Sequence, residues 1–167
     1  MPSEGGMPDE SNAKGITDAG PDRFSSARSV AFRLICSAEL QRQFPQPGRL
    51  LVVCGKGNNG GDGFVIARAA AKDGWNATVL LAEGEPKTAD AITNFERLHP
   101  LPMSICTDCT ALETQKFDLV VDALYGTGFH GALRPSGLAA YGLMNHLHRN
   151  GAFVLAVDLP SGINTDT

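Results

Sequence analysis

The chain has 167 residues, of which 43% are hydrophobic and 19% charged, the composition of one ordinary globular domain. The net charge of −4 comes from 14 basic and 18 acidic residues, without the clustered Lys and Arg that nucleic-acid binding requires. No apolar run approaches the roughly 18 residues of a membrane span, and residues 1–22 are polar, without the apolar core of a secretory signal. We therefore expect a cytoplasmic protein without nucleic-acid or membrane partners, with a flexible lead-in over 1–22.

The spacing of apolar residues predicts strands that alternate with helices from residue 23 onwards. The run Leu50–Cys54 stops at a glycine and is typical of a strand that is buried on both faces. Strands are predicted at 50–54, 77–81, 103–106, 117–122 and 152–158, and helices at 23–44, 62–73, 88–98 and 136–150. This alternation predicts an α/β domain with a mostly parallel sheet.

The four cysteines are expected to be free thiols in a reducing compartment. Cys106 and Cys109 form a CxxC, which is the spacing of a redox pair or of half a zinc site. Since no second CxxC or nearby His pair completes a site, we interpret the two as a chance pair near a strand end.

The first motif is the glycine-rich loop Gly55–Gly63, which follows the first strand and precedes a helix. Glycine lets a ligand approach the backbone closely, and the N-terminus of the following helix suits an anion such as pyrophosphate. Asn58 and Asn59 add amide donors and acceptors. Asp62 is expected to cap the helix or to contact ligand hydroxyls.

The same loop matches the GxGxxG pattern through Gly55, Gly57 and Gly60, and Glu83 follows the next strand where a ribose-binding acid would lie. An NAD(P)-dependent dehydrogenase is therefore one alternative. The dehydrogenase alternative does not explain the two asparagines of this loop or the motifs that follow later in the chain.

Two further motifs follow the strands at 117–122 and 152–158. Asp122 and Asp158 end these strands, and Thr127 lies between two glycines in the loop after Asp122. Because the carboxyl ends of parallel strands meet at one edge of the sheet, both aspartates should converge with the first loop on one ligand site. Ser161 lies in a turn without the GxSxG pattern, so we do not interpret it as a hydrolase nucleophile.

Taken in order and spacing, the three motifs resemble the NAD(P)HX epimerase family, the YjeF N-terminal domain family. The residues that carry the resemblance are 57–63, 121–128 and 156–162. It implies a Rossmann-like three-layer αβα sandwich over residues 23–167, incomplete at its C-terminal end. It also implies interconversion of the R and S forms of hydrated NADH and NADPH (NAD(P)HX) in nucleotide repair.

The resemblance further implies a site that binds a potassium ion (K+), with Asn59, Asp122 and Ser161 as the metal ligands by motif position. Oxygen donors of this kind suit a hard cation. Asp158 is the expected catalytic carboxylate. The expected substrate-binding residues are Asn58, Asn59, Gly60, Gly61, Asp62, Gly126, Thr127, Gly128, Phe129, His130, Gly131, Ala132 and Asp158.

The expected partner is an ATP- or ADP-dependent NAD(P)HX dehydratase, either separate or fused downstream as in a bifunctional repair enzyme. The resemblance leaves a homodimer open. It also leaves open a second class of function, because some proteins with this domain serve as non-catalytic nucleotide-binding scaffolds.

Overall fold

The computed structural model describes residues 38–127, 129 and 131–158. The start of the predicted N-terminal helix and the lead-in therefore lie outside the described residues. No helix within the described ranges is long and apolar enough to cross a membrane. The elements are α1 (Ala38–Gln43), β1 (Arg49–Cys54), α2 (Asn58–Lys72), β2 (Asn76–Leu81), α3 (Ala89–Glu96), β3 (Ser104–Cys106), α4 (Thr110–Glu113), β4 (Leu119–Ala123), α5 (Pro135–Arg149) and β5 (Phe153–Ala156).

The strands form one sheet in the order β3-β2-β1-β4-β5, and every neighbouring pair is parallel. The prediction of an α/β fold with a parallel sheet is confirmed. From β1 the chain proceeds outwards through β2 and β3, then returns to the other side of β1 for β4 and β5. The strand order thus reverses between β1 and β4, where ligands bind in sheets of this kind.

Helices cover both faces of the sheet, which makes the fold the expected three-layer αβα sandwich. Side chains of β1 alternate between two cores: Val52 packs in the cluster that contains Phe64 of α2, and Val53 in the cluster that contains Leu143 of α5. Residues 50–54 are completely buried. Full burial of one such Val, Leu or Phe side chain contributes about 1.5–3 kcal/mol, so the central strand anchors the site that follows it.

Helix α2 begins at Asn58, four residues before the predicted start, and its N-cap is Gly57 without a side-chain hydrogen bond. The interpretation of Asp62 as N-cap is therefore wrong, since Asp62 is the fifth helical residue. The glycines of the first turns are helical because they allow close packing: a Cβ on Gly60 would strike the carbonyl oxygen of Gly55, and one on Gly63 would lie 2.7 Å from Cys54 Sγ. Packing thus outweighs the low helix propensity of glycine.

Helix α4 was not predicted, because four residues are too few to show a helical period. Cys106 ends β3, and Cys109 directly precedes α4. Burial is the main cause that raises the pKa of both thiols, which keeps them protonated and weakly nucleophilic. No group of three His, Cys, Asp or Glu suited to a metal occurs in the described part of the chain.

Candidate functional site

A cavity of about 630 Å³ lies at the carboxyl edge of the sheet, where the strand order reverses. Its walls come from the loops after β1, β2, β4 and β5 and from the first turns of α2. The lining residues are Lys56, Gly57, Asn58, Asn59, Asp62, Glu83, Leu124, Tyr125, Gly126, Thr127, Phe129, Arg134 and Asp158.

The loop between β1 and α2 offers backbone N–H groups and a cation to the cavity. Helix α2 has 15 residues, and the positive end of its dipole lies at Asn58. A Cβ on Gly57 would meet no atom within 4 Å, so the backbone is open to a ligand there. The carbonyl of Lys56 accepts a hydrogen bond of 2.8 Å from the Lys87 N–H, which ties this loop to the segment after β2. The arrangement suits a diphosphate.

Asp158 and Gly126 meet Asn59 of the first turn of α2, and all three residues line the cavity. The backbone N–H of Thr127 donates a hydrogen bond of 2.8 Å to Asp158 Oδ2. A Cβ on Gly126 would lie 3.2 Å from that same oxygen and 3.3 Å from Asn59 Oδ1. Glycine at 126 therefore leaves a small cradle between two side-chain oxygens, one from the first turn of α2 and one from the segment after β5.

Asn59 and Asp122 carry the kind of oxygen donors that suit a hard cation. Asn59 Nδ2 is buried and has no hydrogen-bond partner among the described residues, while Oδ1 of the same amide faces the position of Gly126. Asp122 is buried at 4% exposure, and its Oδ1 accepts a hydrogen bond from the Leu124 N–H at 3.1 Å. A buried carboxylate is stabilised by such donors or by a cation. Ser161 lies outside the described residues.

A second polar cluster, Glu83 with Tyr125 and Arg134, lines the side of the cavity nearest β2. The Tyr125 hydroxyl donates a hydrogen bond of 2.9 Å to Glu83 Oε1, and Arg134 Nη1 lies 3.9 Å from the same oxygen. Burial and then the neighbouring Glu83 carboxylate raise the pKa of Tyr125, so its hydroxyl remains a donor. The Tyr125 ring stacks on Phe129 with 4.1 Å between centroids.

The structure brings most of the sequence-predicted residues together. Those that line the cavity are Asn58, Asn59, Asp62, Gly126, Thr127, Phe129 and Asp158. Gly60 and Gly61 are buried within the first turn of α2, where Gly61 packs against Ala91 of α3. Gly131 and Ala132 are exposed and do not line the cavity. Gly128 and His130 lie outside the described residues.

Sequence reasoning missed Leu124, Tyr125 and Arg134 as lining residues. Tyr125 lies within the second motif, so its position at a strand end was a usable signal. Arg134 precedes α5, and nothing in the local sequence indicates that it faces the loop after β2.

A parallel sheet of this order, with a glycine-rich strand-to-helix loop at its reversal point, defines a Rossmann-like α/β protein. Residues 26–167 match the family described as YjeF-related protein N-terminus. The chain belongs to this family.

Two kinds of named relatives are similar to the chain. The bifunctional NAD(P)H-hydrate repair enzyme Nnr of Moorella thermoacetica is 41% identical over 127 residues, which are 71% of this chain and 23% of that protein. The NAD(P)H-hydrate epimerase of Rhodobacter capsulatus is 40% identical over 124 residues, which are 70% of this chain and 53% of that protein. The chain thus spans about a quarter or about half of these relatives.

The crystal structure of yeast ynu0 shares the fold, with a TM-score of 0.68 and 24% sequence identity. The match covers 89% of this chain and 70% of the yeast chain.

Proposed function

We propose that this chain interconverts the R and S epimers of hydrated NADH and NADPH. The observation that carries the proposal is the carboxylate of Asp158, held by the Thr127 N–H at 2.8 Å beside the Asn59 amide, in a cavity next to a helix N-terminus. The relative from Rhodobacter capsulatus is named NAD(P)H-hydrate epimerase, which supports this reaction class.

The β1–α2 loop would hold the diphosphate of the substrate. Gly57, Asn58 and Asn59 at the start of α2 line the cavity, and Lys56 adds a positive charge beside them. The N-terminus of a helix is a favourable place for a phosphate group. With the diphosphate over β1, the hydrated ring would lie towards β4 and β5, where Asp158 follows the last strand.

Epimerisation then needs loss and return of one water molecule. The hydrated carbon carries a hydroxyl and adjoins the ring nitrogen, whose lone pair forms a C=N bond as the C–O bond breaks. The leaving hydroxide takes a proton from the Asp158 carboxyl group and departs as water. The resulting carbon is planar, and the Asp158 carboxylate stabilises the ring cation.

A water molecule next adds to the opposite face. Its oxygen forms the new C–O bond, the C=N electron pair returns to the nitrogen, and the proton that the water loses returns to Asp158. Thr127 keeps Oδ2 of Asp158 in place through its N–H, which leaves the other oxygen for this proton transfer.

We also propose that Asn59, Asp122 and Ser161 hold a potassium ion, whose positive charge would order the loops around the substrate. The buried Asn59 Nδ2, which has no hydrogen-bond partner within the described part of the chain, and the buried carboxylate of Asp122 support this assignment. Since a relative is a bifunctional repair enzyme, we further propose that an ATP- or ADP-dependent dehydratase consumes the product.

The test is epimer exchange with separated R-NADHX in potassium buffer, in which the R/S ratio is followed by chromatography against a no-protein control. The Asp158→Asn variant should lose roughly 10²-fold or more of the acceleration, because the amide does not transfer the proton. Asp73→Asn changes an exposed aspartate at the opposite end of α2 and should retain the full rate.

Acceleration by the unmodified chain that disappears in Asp158→Asn would support the proposal. A folded chain that gives no acceleration would contradict it and would favour a non-catalytic nucleotide-binding module. Circular dichroism and a cooperative thermal transition establish that each protein is folded.

A further inference from the structure

Glu83 is a largely buried carboxylate at the end of the cavity opposite Asp158. Its side chain is only 6% exposed, yet it lines the cavity two residues after β2. In the strand order β2-β1-β4-β5, three inter-strand spacings separate the ends of β2 and β5. These amount to roughly 14 Å, since neighbouring strands lie about 4.8 Å apart. A ligand in contact with both ends must therefore be extended.

The position of the Glu83 carboxylate is fixed by two neighbours. The Tyr125 hydroxyl donates to Oε1 at 2.9 Å, and Arg134 Nη1 lies 3.9 Å from that atom. Among the described residues, no hydrogen bond is formed with the second oxygen, Oε2. One oxygen is thus anchored by the protein, and the other remains for a hydroxyl donor of a ligand.

We propose that Glu83 binds the adenosine ribose of the substrate and selects the hydrate that has no 2′-phosphate, NADHX over NADPHX. This inference rests on the proposed function for the identity of the ligand. In sheets of this order the diphosphate lies at the helix after β1 and the neighbouring ribose reaches the end of β2, where a carboxylate accepts hydrogen bonds from the ribose hydroxyls.

A 2′-phosphate would instead bring a charge of about −1.5 to −2 next to this carboxylate, and juxtaposed like charges are strongly unfavourable. Arg134 offsets part of this repulsion. Its side chain is 61% exposed, however, so solvent screens its charge more than that of Glu83. Arg134 therefore weakens the preference for the ligand without a 2′-phosphate but does not remove it. We expect this ligand to bind about tenfold or more tightly.

The experiment measures binding without any need for catalysis. Isothermal calorimetry on the full chain compares ADP-ribose with 2′-phospho-ADP-ribose, and epimer exchange compares NADHX with NADPHX. The unmodified chain should bind ADP-ribose about tenfold or more tightly than its 2′-phosphate form. Glu83→Gln retains the size of the side chain and an acceptor for Tyr125 but removes the charge, so the ratio should fall to about threefold or less.

Glu85→Gln is the matched control, since Glu85 is exposed and does not line the cavity. It should leave the ratio unchanged. Equal binding of the two ligands by the unmodified chain would overturn the proposal, and so would a ratio that Glu83→Gln does not alter or a folded chain that binds neither ligand at millimolar concentration.

The two proposals fail in different ways. Discrimination that depends on Glu83, without epimer exchange, would support the ribose subsite and contradict the epimerase. Epimer exchange without discrimination would support the epimerase and overturn the role of Glu83.

Discussion

Gly126 should tolerate no side chain without a loss of activity, because its missing Cβ faces two oxygens of the candidate site. In Gly126→Ala the new carbon would lie 3.2 Å from Asp158 Oδ2 and 3.3 Å from Asn59 Oδ1, and ordinary contact begins at 3.4 Å. The side chains must therefore move by a few tenths of an ångström. Since a misplacement of about 1 Å can cost about 10²-fold in rate, a shift of about 0.3 Å should cost about fourfold.

Gly126→Val extends the perturbation, because its methyl carbons reach further towards the same two side chains. A displacement of about 1 Å and a loss of about 10²-fold in kcat/KM are then expected. The free energy of unfolding should change by less than about 1 kcal/mol, since residue 126 lies in a half-buried loop. The assay is epimer exchange, with urea unfolding of each variant as the measure of stability.

Gly142→Ala serves as the control for this series. A Cβ at 142 meets no atom within 4 Å, and the residue is exposed on α5, so the change should stabilise the helix by about 0.5–1 kcal/mol and leave the rate intact. A folded Gly126→Val protein that exchanges epimers at the unmodified rate would refute the placement of Asn59 and Asp158 around Gly126.

Three further changes test the core, the titration of a buried thiol and the metal proposal. Phe64→Ala removes a completely buried ring from between α2 and the sheet and should lower the free energy of unfolding by about 3–5 kcal/mol in urea; a loss below about 1 kcal/mol would contradict the packing. Burial raises the pKa of the Cys54 thiol. Above about pH 9 the unfolded chain therefore loses a proton that the folded chain keeps, and this residue lowers the free energy of unfolding by about 1.4 kcal/mol per pH unit. Cys54→Ala should remove this contribution to the pH dependence of the free energy of unfolding between about pH 9 and 10. Equal pH dependence in the two proteins would contradict the raised pKa of the buried thiol. Replacement of potassium by tetramethylammonium at equal ionic strength should lower both the epimer exchange rate and Tm, as expected when a bound ion is removed. In Asn59→Ala, Tm should no longer respond to potassium. An unchanged response of Tm would exclude Asn59 as a ligand of the ion.

The strands could be predicted from the sequence because a parallel sheet covered on both faces needs continuous apolar runs. Residues 50–54 are such a run, and all five are buried. The start of α2 could not be predicted in this way. Gly60 and Gly63 discourage a helix locally, and only their contacts with the backbone of Gly55 and with Cys54 make them favourable there.

The convergence of Asp158 with the first loop followed from topology, since parallel strands deliver their carboxyl ends to one edge. The hydrogen bond between Thr127 and Asp158 joins residues 31 apart in the chain and depends on how two loops fold over that edge. The contact of Arg134 with Glu83 likewise depends on where α5 begins relative to the end of β2. The local sequence pattern contains no information on the relative position of these two elements.

In the proposed function, the site divides recognition and chemistry between the two sides of the strand reversal. Gly55 allows close packing against the backbone of Leu124, Gly57 leaves an open approach, and Gly60 allows close packing against Gly55. Dinucleotide-binding loops in general use glycine for such purposes. This loop alone therefore does not distinguish hydride transfer from epimerisation. The distinction lies across the reversal point, where Asp158 is held in place by a backbone N–H and the cradle at Gly126 leaves no room for a side chain. A carboxylate held there suits a reaction in which a proton leaves and returns while the ring carries a positive charge.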